Sequence, residues 1–287
     1  MIKINKIKEL LYWLWNEFIY GGHFQSLGAA SIAIVSAMIF GVKITWDCFL
    51  TSYLMFYPLY LYNRCKEINI DYLTNPERTN HIKKYIQIIP TVLFLDLFFL
   101  AFLLIFFGNQ TSLIFAFGLI VLGILYTTIF KKLTKKIVIF KNLYVALFFS
   151  SMVFFPVIYY EYEITPVIFI FALFTYLKAL TMQVLLDVKD IETDNQEKLL
   201  TFPVIFGKEK TLKILNTTNI IIIIIMVAVN YCLNIFPRAI TSFILIIPFH
   251  FYCIELIKKN NYFGYILVGG EFILWLLLFF ITKTIIT

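Results

Sequence analysis

Two short acidic segments stand out in a chain that is otherwise poor in charge. The first reads Asn63-Arg64-Cys65-Lys66-Glu67-Ile68-Asn69-Ile70-Asp71, and the second Asp187-Val188-Lys189-Asp190-Ile191-Glu192-Thr193-Asp194. Positions 63, 67 and 71 are four apart, so on a helix extending the preceding apolar run their oxygen-bearing side chains line one face. Positions 187, 190 and 194 are three and four apart and align the same way. Carboxylates stacked this closely repel one another, and a divalent cation relieves the repulsion. Hard oxygen donors select magnesium, which keeps waters and is shared between carboxylates and substrate phosphates. The spacing predicts magnesium held by Asn63, Glu67, Asp71, Asp187, Asp190 and Asp194 and gripping a diphosphate, with Arg78, Lys131, Lys132, Lys141 and Lys198 neutralising phosphate oxygens. A single acidic loop would more simply keep a membrane protein's ends in water. Two such segments with helical spacing favour a metal–phosphate site.

The elements that must position them are apolar. Of 287 residues 61% are hydrophobic and 14% charged, against about 45–50% and about 25% in soluble domains. Mean hydropathy is +0.87. This composition excludes a disordered chain, a disulfide scaffold and almost any soluble enzyme. The net charge of +7 suits an anionic membrane surface and anionic substrates better than nucleic acid, because the basic residues sit in short gaps between apolar runs. Cys48, Cys65, Cys232 and Cys253 form no CxxC pair and read as reduced packing residues.

Nine segments approach the ~20 residues needed to cross ~30 Å of hydrocarbon: Phe24–Val42, Thr45–Tyr62, Ile86–Phe107, Ser112–Phe130, Ile137–Tyr160, Thr165–Leu186, Ile214–Phe236, Ala239–Ile257 and Phe263–Ile281. Solid apolar runs are helices, because each must satisfy its own backbone in lipid and a barrel would need alternating strands. The expectation is an all-α membrane protein of about nine transmembrane helices around a central cavity. Residues 1–287 form one domain, with no repeat or linker. Residues 1–20, with lysines near the start and Leu10, Leu11, Trp13, Leu14 and Phe18 at roughly helical spacing, form an interfacial amphipathic helix rather than a signal peptide.

Charge sets the orientation. The side of the N-terminus holds three lysines before the first span, five Lys/Arg in 63–85, five in 131–141, five in 187–213, and Lys258 and Lys259. The other side holds Lys43, Arg238 and Lys283. The lysine-rich side, which carries both acidic segments, is therefore cytoplasmic.

The second segment, continued through Thr201, Pro203 and Gly207, closely resembles the second aspartate motif of the UbiA superfamily of intramembrane prenyltransferases, DxxDxxxD followed by Thr-x-Pro and a glycine. Asp187, Asp190, Asp194, Thr201, Pro203 and Gly207 match; Lys198 stands where many members have glycine. The first segment is similar to the family's NDxxDxxxD motif: Asn63 and Asp71 match, Glu67 replaces the middle aspartate, and Arg64 replaces the residue after the asparagine. Arg78 keeps the family spacing, while Thr79-Asn80-His81-Ile82 replaces the usual PIPSG tail. Lys141-Asn142 and Tyr126 also look like family features.

The resemblance implies magnesium-dependent transfer of an isoprenyl group from a polyprenyl diphosphate to a hydrophobic acceptor, aromatic or lipid-like, in the cytoplasmic membrane of a bacterium or archaeon, with no known protein partner. It implies that Asp71, Asp190, Asp194 and Tyr126 serve catalysis and that Asn63, Arg78, Lys131, Lys141, Asn142 and Lys198 bind the diphosphate. Aromatic faces can stabilise an allylic cation. Phe56 and Tyr60, seven and three positions before Asn63, are candidates with Tyr126, although in so aromatic a chain most rings pack or face lipid. A terpene cyclase of the same superfamily, or a non-catalytic transporter or lipid-binding protein, are the alternatives; inverted repeats, which a transporter would suggest, are not apparent.

Asp96, Lys178, Glu255 and Glu271 fall inside spans, where ionisable groups suggest function. Glu255 can snorkel. Glu271 lies at a depth that could reach the cavity. Lys178 could pair with Asp96 or Glu271. Gln183, one turn before Asp187, is a pocket candidate. His23 reads as interfacial and His250 as a packed polar residue.

Overall fold

The computed structural model describes residues 2–286. Met1 and Thr287, the ends of the expected domain, lie outside the described residues. The described residues are helical and contain no strand. In chain order the helices are α1 (Ile2–Tyr20), α2 (His23–Phe40), α3 (Trp46–Lys66), α4 (Ile68–Thr74), α5 (Pro76–Lys83), α6 (Ile89–Phe107), α7 (Gln110–Thr128), α8 (Phe140–Ser151) and α9 (Phe155–Tyr159). They continue with α10 (Pro166–Asp187), α11 (Ile191–Gln196), α12 (Phe202–Phe206), α13 (Lys208–Leu233), α14 (Ile246–Lys258), α15 (Phe263–Gly269) and α16 (Glu271–Ile286).

Helix α2 is the central element. Its sequence is rich in small residues, and Ala29, Ala30, Ser31, Ala33 and Ser36 are fully buried. Small side chains let neighbouring backbones come close where lipid supplies no hydrophobic drive between helices; here α3 and α16 pack on α2. Helices α6 and α7 lie outside. Phe94, Phe98, Ile105 and Phe106 of α6 are 63–68% exposed, an apolar face suited to lipid rather than water.

Six helices among the described residues are long and apolar enough to cross a membrane, or seven if the bent α15–α16 pair counts as one span. By length and hydropathy the expected count of about nine is therefore not reached. Every segment expected to span is helical, but two fall short as apolar rods. Helix α3 carries Pro58, Asp47, Arg64 and Lys66. The segment 137–160 breaks between α8 and α9, where Pro156 opens the short second helix. The α15–α16 pair bends by 56°.

Helix α1 exposes Leu10, Leu11, Tyr12, Trp13, Leu14 and Trp15, six consecutive large side chains. Its C-terminal end is docked. Glu17 accepts from Tyr85 (3.2 Å) and pairs with His81 (2.7 Å) and His23 (3.4 Å). Tyr20 donates to Glu77 (2.8 Å). Burial opposes ionisation of Glu17, but the hydrogen bonds from His23, His81 and Tyr85 outweigh it and hold the carboxyl below its ordinary range. His23 is thus anchored to Glu17 and stacked on Tyr57 at 4.5 Å.

The interior polar residues form a separate cluster. Lys178 pairs with Glu271 at 2.9 Å and also donates to Asn219. Asn219 in turn meets His250 at 3.0 Å and accepts from Thr181 at 3.1 Å. Trp275 donates to Glu271 at 3.2 Å. The partner of Lys178 is therefore Glu271 and not Asp96, and Glu271 is occupied here rather than at the cavity described below. His250 is packed within the same cluster. Buried charges are held this way because an unpaired one would cost several kcal/mol.

Candidate active site

The first acidic segment starts on the last turn of α3. Asn63 and Glu67 are i and i+4, and the Asn63 amide donates to Glu67 at 3.2 Å. The helix then breaks: Glu67, at φ −100°, caps α3 and precedes α4, which carries Asp71. The expected single helical face over 63, 67 and 71 is thus split between the end of α3 and the short α4, which meet at Glu67. Helix α5 follows and brings Arg78 to Asp71 at 2.8 Å.

The second segment starts at the C-terminus of α10 with Asp187, passes through a tight turn at Val188–Asp190, and continues into α11 with Asp194. This bend folds Asp194 back toward Asp187. Lys141 bridges the two, at 3.1 Å from Asp187 and 2.8 Å from Asp194. Asn142, the next residue, donates to Asp187 at 2.7 Å.

The residues after the carboxylates hold this geometry. Leu200 donates its backbone N–H to Thr134 (2.9 Å) and its carbonyl accepts from Ile139 (2.8 Å), tying the segment to the loop bearing Lys131 and Lys141. Thr201 and Pro203 begin α12, and Gly207, at φ +76°, ends it. The positive φ explains the glycine. Lys198 sits at φ +57°, a conformation glycine adopts without cost.

Both segments line one cavity of about 240 Å³, which includes Asn63, Glu67, Asp71, Arg78, Lys131, Lys141, Asp187, Asp190 and Asp194. It shares Asn63, Glu67, Lys131, Lys141, Gln183 and Asp187 with a second lobe of about 220 Å³, walled by Phe56, Tyr60, Tyr126, Tyr144 and Phe148. One end of the chamber is charged and the other is aromatic. Tyr126 stacks on Tyr144 with ring centroids 5.1 Å apart. Gln183, Phe56 and Tyr60 stand where their spacing placed them.

The ion pairs are selective. Lys131 pairs with Glu67, Arg78 with Asp71, and Lys141 with Asp187 and Asp194. Asp190 has no cation within ion-pair distance among the described residues, and its Oδ1 is buried without a hydrogen-bond partner. No group of three His, Cys, Asp or Glu among the described residues converges tightly enough to cage a metal by itself. Magnesium needs no such cage: it takes one or two carboxylates and completes its shell with water and phosphate. The orphaned Asp190 oxygen and the oxygen-only donor set fit that cation.

Two expected bases are not brought in. Lys198 is exposed and is not among the residues lining this chamber. Lys132 is exposed and lines an outer groove with Lys66, Lys131 and Lys135. Other lining residues carried no functional assignment in the sequence: Gln25, Arg64, Lys189 and Tyr262. Arg64 and Lys189 were visible as basic residues inside the two motifs. Gln25 and Tyr262 reach the site only by tertiary packing. Tyr262, whose hydroxyl is pushed to higher pKa by burial, donates to Asn75 at 3.3 Å.

Residues 24–262 match the UbiA prenyltransferase family. Solved structures with similar folds include the apo structure of a UbiA homologue from Aeropyrum pernix K1, 13% identical with a TM-score of 0.64, covering 91% of this chain and 96% of that one. Another is a UbiA homologue from Archaeoglobus fulgidus bound to GPP and Mg2+, 17% identical with a TM-score of 0.64, covering 94% and 99%. A third is a structure of digeranylgeranylglyceryl phosphate synthase, 20% identical with a TM-score of 0.55, covering 96% and 98%. No curated protein sequence matches the chain.

Proposed function

From the membership of this chain in the UbiA prenyltransferase family, we propose that it transfers an isoprenyl group from a prenyl diphosphate to a hydrophobic acceptor within the membrane, with magnesium as cofactor. The observation that carries this reading is the single chamber. Two carboxylate segments with their cations stand at one end, and an apolar aromatic lobe opens from the same wall. That arrangement suits a molecule with an anionic head and a greasy tail. The Archaeoglobus homologues bound to DMAPP or GPP with Mg2+ support it.

Asp190 and Asp194, with Asp71, Asp187, Glu67 and Asn63, would hold magnesium. When bound, that ion neutralises charge building on the leaving diphosphate. Arg78, Lys131 and Lys141 already stand among the carboxylates and supply fixed positive charge at the same place, and electrostatic preorganisation of this kind is typically the largest catalytic contribution. The allylic carbon–oxygen bond breaks, the diphosphate leaves with the electron pair, and the allylic carbon bonds to the acceptor, which releases a proton. Tyr126, Tyr60 and Phe56 face the lobe where that cation forms and stabilise it through their ring faces. The apolar walls keep water from intercepting it. Arg78 and Lys131, paired with Asp71 and Glu67 in the ligand-free chamber, would turn to phosphate oxygens if those carboxylates held the ion. The site lies on the lysine-rich side of the membrane, which the positive-inside rule places in the cytoplasm of a bacterial or archaeal cell.

The test is pyrophosphate release from farnesyl or geranylgeranyl diphosphate by purified protein, with lipid products identified by mass spectrometry. Magnesium-dependent release, lost in Asp190→Asn and Asp71→Asn, is expected. Release that survives EDTA, or persists in both variants, overturns the metal site. A cyclic product formed without added acceptor would make the chain a cyclase, and no release at all would remove the enzyme assignment.

A further inference from the structure

Five basic side chains line the polar end of the chamber: Arg64, Arg78, Lys131, Lys141 and Lys189. Three are committed to motif carboxylates, as described. The other two are not. Arg64 donates through Nη2 to the neutral Gln25 amide oxygen at 3.0 Å, and Lys189 donates to the neutral Asn75 amide oxygen at 3.3 Å. Among the described residues neither has a carboxylate within ion-pair distance. Arg64 is only 5% exposed, and its Nη1 is buried with no hydrogen-bond partner.

A guanidinium held out of water against a neutral amide is expensive to keep, because its charge is neither solvated nor paired. A salt bridge that merely stabilised the fold would have placed a carboxylate there. Arg64 also stands at a motif position, after the motif asparagine, where its long side chain points from α3 toward the α1–α2 junction bearing Gln25. Lys189 comes from the other motif. Two cations from separate acidic segments thus line one chamber with unused hydrogen-bonding capacity.

Resting on the reading of the chamber as a prenyl diphosphate site, we propose that Arg64 and Lys189 form a second anion-binding position in it. The ligand is a phosphate-type or carboxylate oxyanion. It comes either from the donor, as the phosphate farther from the allylic carbon, or from an acidic group on the acceptor. Arg64 presents a planar fork that suits either group, and Lys189 adds a point charge. With these two cations engaged, less of the leaving group's charge must be met by metal.

The experiment is calorimetric titration of the wild type, Arg64→Gln and Lys189→Met in detergent. Farnesyl thiolodiphosphate is added with magnesium first, and inorganic phosphate is then added to protein saturated with that analogue. Weakening of the first titration in both variants by roughly tenfold or more, the loss expected for a charge-assisted hydrogen bond, assigns the oxyanion to the donor. Weakening of the second alone assigns it to the acceptor. Wild-type affinity in both titrations overturns the proposal. The melting temperature separates a structural role: removal of an unpaired buried charge leaves the ligand-free Arg64→Gln protein as stable as the wild type or more so. A lower melting temperature in Arg64→Gln together with unaltered titrations in Lys189→Met also overturns it. If the wild type does not bind farnesyl thiolodiphosphate, the prenyl diphosphate reading fails; titration of inorganic phosphate into ligand-free protein then tests Arg64 and Lys189 alone, and equal affinity across the three proteins rejects them.

Discussion

Replacing Lys141 by Met tests how the second acidic segment is held together. Lys141 is the only cation within 4 Å of Asp187 or Asp194 among the described residues, at 3.1 and 2.8 Å. Its side chain is 13% exposed and the two carboxylates about 10%, so water screens them poorly. Methionine keeps the length and removes the charge, leaving two carboxylates facing each other with only Asn142 donating to Asp187. Removing one member of a buried pair costs about 3–5 kcal/mol when burial is complete; the residual exposure places this case near the lower end, at about 3 kcal/mol. Magnesium reverses that loss, because a divalent ion takes over the neutralising role. Thermal unfolding in detergent with EDTA, repeated across a magnesium titration, measures both effects. The variant unfolds well below the wild type in EDTA and recovers more stability than the wild type as magnesium is added. Equal stability in EDTA would show that Lys141 does not hold these carboxylates. A deficit that magnesium leaves unchanged would refute the idea that the carboxylates are a metal site.

Other perturbations separate the parts of the molecule. Lys198→Gly leaves prenyl transfer rates within about twofold of wild type and changes stability by no more than about 1 kcal/mol, because relief of the positive φ offsets the flexibility glycine adds; rates and melting temperatures check this. Lys178→Met destabilises the protein by about 3 kcal/mol by stranding Glu271, whereas adding Glu271→Gln recovers most of the loss, measured as a double-mutant cycle on unfolding. Glu17 ionises more readily in the folded protein than in the unfolded chain, so its contribution to holding α1 is complete above its ordinary carboxyl range and is lost as pH falls through the lower folded value. Hydrogen exchange at residues 17–24 should accelerate at acid pH in the wild type, and Glu17→Gln should show that acceleration already at neutral pH.

The helical character of each apolar run was legible because spans of this hydropathy have no other way to satisfy their backbone in lipid. The number of straight spans was not. Pro58 within α3, the break before Pro156 and the bend between α15 and α16 are local events that a count of apolar residues passes over. The spacing of Asp187, Asp190 and Asp194 predicted one helical face, which the turn at Val188–Asp190 interrupts although all three line one cavity; the positions of Phe56, Tyr60 and Gln183 relative to Asn63 and Asp187 were readable from helical geometry. The break at Glu67 was not, since nothing in Glu67-Ile68-Asn69 forbids a continuing helix. The choice of Glu271 over Asp96 as the partner of Lys178 depended on which helices pack together. Lys198 was grouped with the phosphate ligands by charge and proximity along the chain, yet its backbone turns it outward.

The two ends of the chamber are built by different parts of the chain. The charged lining comes from helix ends and the short segments that follow them, 63–78, 131–142 and 187–194, whereas the apolar lobe is walled by side chains within α3, α7 and α8. On the proposed reading, preference for a longer or shorter hydrocarbon can therefore be altered at Val145 or Phe148 without disturbing the charged groups or the rings assigned to the cation. On that reading, one ionisation apparatus can serve lipids of many lengths.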